Sequence, residues 1–185
     1  MGEDPGRTLE SRHVFDGRIL KVHVDRLVEP SGHEVEREVV RHPGSVVLLA
    51  LTPSERMLFV RQYRYPVDEL LLEVPAGTLE PAELIEDAAR RELVEETGYH
   101  ARELEKLSEF YPAPGFTDER MHLFFAWDLE PGEPSPDDDE VLEVVELSVD
   151  EVLELQWGKE VKDAKTLVAI AELRANPDLL ARLHS

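Results

Sequence analysis

Short stretches of strand character occupy the first half of the chain, and helical patterning enters with the segment after Gly77. Ile19 to Val28 and Glu34 to Val40 flank Glu29-Pro30-Ser31-Gly32-His33, a cluster of turn formers, and predict a hairpin. Val46 to Leu51 is a short apolar run, and Met57 to Tyr63 follows it after the turn Thr52-Pro53-Ser54-Glu55; both read as buried strands. Leu70 to Val74 leads toward a helix between Gly77 and Gly98, and Leu104 to Tyr111, Met121 to Asp128 and Val144 to Ser148 are later strands. Helices are predicted near Val149 to Trp157, Asp163 to Arg174 and Pro177 to Leu183. Strands with helices on both sides imply an α/β sandwich, and the N-terminal hairpin reads as a separate small antiparallel sheet. The expected division is residues 1–43 for that element and 44–185 for the main domain.

Composition narrows the chemistry. The 185 residues suffice for one domain with a real core and a small appendage. There is no cysteine, which removes disulfides, thiolate zinc sites and a cysteine nucleophile together. The seven histidines are scattered without metal-ligand spacing. No N-terminal apolar stretch resembles a signal peptide and no run approaches bilayer length, so a soluble cytoplasmic protein is expected. The formal charge of -21 argues against a nucleic-acid partner, whose affinity would come from lysine and arginine neutralising phosphates. A small phosphorylated substrate meets the same repulsion, and would need a bound cation and a few placed arginines.

The segment from Gly77 to Tyr99 supplies a place for that cation. At about 100° per residue, Glu92, Glu95 and Glu96 fall on one helical arc, so three carboxylates share a face. A Glu-Glu pair on a helix is ordinarily a solvated face. Three like charges, however, repel at these spacings, and hard oxygen donors suit Mg2+ or Mn2+. Ala88 and Ala89 project into or beside the arc, where short side chains would leave room for hydrated ions. Gly77 and Gly98 bracket the helix as a loop and a C-terminal stop, and Arg91 with Glu83 reads as an ion pair pinning the loop. Leu93 and Val94 read as core, and Trp127 and Trp157 as packing anchors.

The same segment matches G-x5-E-x7-R-E-U-x-E-E-x-G-U, with U a bulky apolar residue, at Gly77, Glu83, Arg91, Glu92, Leu93, Glu95, Glu96, Gly98 and Tyr99. That pattern is the Nudix box, and the chain resembles a Nudix hydrolase. Arg61-Gln-Tyr-Arg64, Leu72-Glu73-Val-Pro-Ala-Gly77, Tyr111-Pro-Ala-Pro-Gly-Phe-Thr-Asp-Glu119 and Gly158-Lys-Glu-Val-Lys-Asp-Ala-Lys-Thr166 resemble the ADP-ribose pyrophosphatase subfamily, in which a proline lies about fifteen residues past the box, as Pro114 does. One departure is Ala113, where relatives often carry serine before that proline.

The resemblance implies a Nudix α/β/α sandwich with a mixed sheet and a small N-terminal sheet, and hydrolysis of ADP-ribose to AMP and ribose 5-phosphate. It implies that the carbonyl of Ala76 with Glu92 and Glu96 holds Mg2+, with Mn2+ or Zn2+ as substitutes, and that Glu95 supports the metal. It further implies that Arg64 contacts a phosphate or its bound metal water, that Glu73 and Pro114 lie at the substrate, and that Arg18 and Glu29 reach the substrate across a homodimer. In relatives a glutamate on a loop activates water; Asp137-Asp138-Asp139-Glu140 aligns with that loop, and Glu140 is the expected general base, with Glu95 or Asp139 as alternatives. Two other readings stay open: another nucleoside diphosphate derivative as substrate, such as a nucleotide sugar or FAD, and a module that binds a nucleotide without cleaving it.

Overall fold

All six residues of the strand Ser45–Ala50 (β4) are buried, because both of its faces are covered. Val47 and Leu49 point into one apolar cluster, and Val46, Leu48 and Ala50 into another. The computed structural model describes residues 6–17, 20–135 and 141–183. They group into two units, Met1–Gly44 with Tyr111–Arg120, and Ser45–Phe110 with Met121–Ser185.

In the larger unit, β4 is central to a four-stranded sheet. It pairs in parallel with β9 (Met121–Pro131) and antiparallel with the short β7 (Ala76–Thr78), and β9 pairs antiparallel with β8 (Tyr99–Phe110). A second, antiparallel sheet has the order β10 (Leu142–Ser148), β5 (Arg56–Arg64), β6 (Glu69–Glu73). Alternation on β5 and β9 repeats that of β4: Phe59, Leu123 and Phe125 face one cluster, Leu58 and Phe124 the other. One cluster is closed by helices α2 (Val149–Glu154) and α3 (Ala164–Ala175) through Val152, Ala169, Ile170 and Leu173, while α1 (Ile85–Thr97) closes the other through Ala88, Ala89 and Leu93. The result is a sandwich of helices on both sides of a mixed sheet and an antiparallel one. Each fully buried Leu or Phe contributes about 1.5–3 kcal/mol, so the paired clusters dominate the fold's stability. A last helix, α4 (Pro177–Leu183), follows, and no helix among the described residues is long and apolar enough to cross a membrane.

Helix ends follow local chemistry. Gly98, with φ of 76°, stops α1 in the left-handed conformation, its N–H donating to the Val94 carbonyl at 2.8 Å. Ser148 and Glu151 form a reciprocal capping box at α2, and Asp163 caps α3.

The smaller unit is an antiparallel sheet of β1 (Arg7–Asp16), β2 (Lys21–Val28) and β3 (Glu34–Arg41). The β2–β3 turn is the one expected at residues 29–33, with Gly32 at φ of 86°. Asp25 is buried and accepts hydrogen bonds from Ser11 Oγ at 2.5 Å and from Arg41. Residues 111–120 join this unit through main-chain bonds between Val40 and both Phe116 and Asp118, and through Asp118 with Arg41 and His42.

Four local expectations change. The strand β1 was not anticipated: all ten of its residues are exposed, so it carries no buried alternating face to read. The segment Tyr99 to Glu103 extends β8 toward the helix, and α2 ends at Glu154 instead of reaching Trp157. Ala88 and Ala89 do not line an ion site; both are fully buried in the core, where their small size lets α1 lie close to the sheet.

Candidate active site

Gly77 lies in β7 and not in a free loop. It is required for closeness: a Cβ on Gly77 would come within 1.8 Å of the Glu92 carboxylate carbon and 2.0 Å of each of its oxygens. One residue earlier, the Ala76 N–H donates to a Glu96 carboxylate oxygen at 3.1 Å. Strand β7 and helix α1 are thereby joined at two successive residues by the carboxylates of Glu92 and Glu96. Glu96 is buried, 5% exposed, whereas the Glu95 side chain is 37% exposed.

Arg91 organises this face. Its Nε and Nη2 bind both oxygens of Glu83 at 2.8 and 2.9 Å, the expected pin between loop and helix. Nη1 additionally donates to Glu92 at 2.7 Å and Glu95 at 2.8 Å, and Nη2 to the Thr78 carbonyl at 3.2 Å. The hydrogen bond with Glu83 first, and those with Glu92 and Glu95 after it, push the guanidinium further up in pKa. The Arg91 bond in turn holds the Glu83 carboxyl below the usual range.

A second ionic cluster borders the first. Glu73, at the end of β6, has a side chain only 1% exposed. Arg64, at the end of the neighbouring β5, grips both its oxygens at 2.8 and 2.7 Å, and Lys165 on α3 binds the same carboxylate. Burial is the largest single influence on Glu73 and pushes its carboxyl up; the bond from Arg64 and the charge and bond of Lys165 together outweigh it and leave the pKa lowered. The Glu73 bond raises Arg64 against the opposing effect of burial, and the charges of Asp163 and Glu96 act in the same direction as Glu73. Lys165 also pairs with Asp163 at 3.1 Å. Asp163 accepts from Thr166 N–H at 3.0 Å and Oγ1 at 2.7 Å, and the fully buried Thr166 Oγ1 accepts from the Val74 N–H at 2.9 Å. The start of α3 is thereby hydrogen-bonded to the main chain that leads from β6 into β7.

Of the residues singled out in the sequence, Glu92, Glu95, Glu96, Ala76, Arg64 and Glu73 all belong to the larger unit: Arg91 bridges Glu92 and Glu95, Ala76 bonds Glu96, and Arg64 meets Glu73 and the charge of Glu96. Glu29 and Pro114 belong to the smaller unit, where Glu29 pairs with Arg37 and Pro114 is exposed in a turn. Arg18 and Glu140 lie outside the described residues. Lys165, Asp163 and Thr166 had been given no role. Asp163-x-x-Thr166 is a visible cap pattern; nothing local signals that Lys165 would meet Glu73.

The side-chain acceptors on this face are carboxylates, the hard oxygen donors that Mg2+ and similar ions take. Among the described residues no three histidine, aspartate or glutamate side chains converge as they would around an ion; Glu92 and Glu95 each accept a hydrogen bond from Arg91. The donor chemistry fits a divalent cation; the side-chain arrangement is that of an ion-paired face.

The NUDIX domain matches residues 40–169, and the chain belongs to that family, the Nudix hydrolases. It is 40% identical to the ADP-ribose pyrophosphatase of Bacillus subtilis over 95% of this chain and 96% of that one. It is 39% identical to the methanol dehydrogenase activator of Bacillus methanolicus over 91% of this chain and 92% of that one. Among solved structures, an ADP compounds hydrolase shares the fold at a TM-score of 0.81 and 23% identity, covering 95% of each chain.

Proposed function

We propose that this protein hydrolyses the diphosphate bond of ADP-ribose to AMP and ribose 5-phosphate. The observation that carries the reading is the near full-length similarity to an ADP-ribose pyrophosphatase, in a chain whose box is complete and whose Arg64 is clamped beside it. In the reaction water adds to one phosphorus, the bridging P–O bond breaks, and the leaving phosphate and the new P–O group share the released protons with solvent. Glu92, Glu95, Glu96 and the carbonyl of Ala76 would hold a divalent cation, Mg2+ with Mn2+ or Zn2+ as substitutes; when bound, it neutralises diphosphate oxygens and lowers the pKa of water. Arg64, held by Glu73, donates to a phosphate oxygen. Glu140 takes the proton from the attacking water, with Glu95 next in line. Residues 1–43 act as a dimerisation element, so that Arg18 and Glu29 of a second copy contact the substrate together with Pro114, and the enzyme works in the cytoplasm.

The test is incubation of purified protein with ADP-ribose, with and without Mg2+, followed by chromatography. Metal-dependent AMP and ribose 5-phosphate in equal amounts support the reading; intact ADP-ribose contradicts it. A second reading, another nucleoside diphosphate derivative as substrate, is favoured by Ala113, where the subfamily often has serine.

A further inference from the structure

We propose that Lys165 is a positioning residue for diphosphate cleavage, acting through Glu73 to fix the guanidinium of Arg64; this rests on the functional reading above. Lys165 is almost wholly buried, its side chain 8% exposed. A buried ion pair is a poor stabiliser compared with apolar side chains of the same volume, so a lysine here calls for a reason other than stability. Docking of α3 does not supply one, since Thr166 already joins α3 to Val74 and caps the helix with Asp163.

What Lys165 does is fix a carboxylate. Glu73 Oε2 receives both Lys165 Nζ and Arg64 Nη2, while Oε1 receives Arg64 Nε. Anchored from the α3 side, Glu73 holds Arg64 by the Nε–Nη2 edge. Among the described residues no hydrogen bond uses Arg64 Nη1, and the side chain is 39% exposed. A planar guanidinium fixed on one edge presents its remaining N–H groups, two of them on Nη1, in fixed directions, the preorganisation that a developing phosphate charge exploits.

A double-mutant cycle tests this. Kinetic constants for ADP-ribose are measured for wild type, Lys165→Met, Arg64→Ala and the double variant, with thermal melts alongside. Lys165→Met is expected to lower kcat/KM about tenfold or more, yet to cost less than about threefold in the Arg64→Ala background, because its effect passes through Arg64. If Lys165→Met melts below the assay temperature, Lys165→Gln, a neutral donor, replaces it in the cycle with the same expectation. Losses that multiply, or a single variant within about threefold of wild type, overturn the proposal. Wild-type protein that leaves ADP-ribose intact overturns the functional reading and this proposal with it; active wild type with multiplying losses overturns the proposal alone.

Discussion

Gly77 lies so close to Glu92 that a Cβ on residue 77 would overlap the carboxylate, which would have to swing aside. Replacing Gly77 by alanine therefore forces Glu92 off its position against β7. The expected outcome is a fall in kcat/KM of about 100-fold, as misplacement of a reacting group by about 1 Å produces, together with a lower melting temperature. A Gly77→Ala enzyme with wild-type kinetics would show that the placement of Glu92 does not matter to the reaction.

Arg91 binds Glu83 in fork geometry and bridges Glu92 and Glu95 with its third nitrogen. Lysine keeps the charge but cannot reproduce the fork. Arg91→Lys should lose about 2 kcal/mol of stability, the range for hydrogen bonds to charged groups in a half-buried setting, and should lower activity as well. Chemical denaturation gives the first number, and an unchanged midpoint would count against Arg91 as the organiser of the face.

Thr166 is fully buried and bonded on both sides, to Asp163 and to the Val74 N–H. Thr166→Val keeps the shape and leaves that main-chain donor without its acceptor. A loss of about 1–3 kcal/mol follows from the desolvated N–H. Thermal unfolding should show it, and faster amide exchange at Val74 should accompany it.

The Glu73 carboxyl is lowered from its ordinary 4.5 by Arg64 and Lys165 despite its burial. A depressed carboxylate stabilises the folded state above its unfolded pKa, and that stabilisation is lost as pH falls through the folded pKa. Glu73→Gln should therefore be less stable than wild type at neutral pH, by about 3–5 kcal/mol for a buried pair broken on one side. The gap should narrow below pH 4.5, as Glu73 itself becomes neutral. Urea midpoints of both proteins across that range decide it; a gap that widens in acid has the wrong sign.

Much of this site could be read along the chain because its chemistry is local. Glu83, Arg91, Glu92, Glu95 and Glu96 lie on one helix and its leading loop, where spacing fixes direction, and the buried run of β4 was equally legible. Helical arcs do not say which edge of an arc meets the sheet, and for that reason Ala88 and Ala89 were assigned to the ion side although they pack in the core. The role of Gly77 was inferred from conformational freedom when the governing fact is contact with a residue fifteen positions later. The pairing of Lys165 with Glu73 spans 92 positions and depends on α3 meeting the end of β6, which no local pattern encodes. Exposed β1 carries Leu9, Val14 and Phe15 without the alternation that marks a strand with one buried face.

Substrate choice is measured most directly as kcat/KM for ADP-ribose beside a panel of other nucleotide sugars, FAD and nucleoside triphosphates, each with and without Mg2+. The highest value is expected for ADP-ribose, with turnover that requires the cation. Faster cleavage of another diphosphate, or no cleavage of any, would contradict the proposed function.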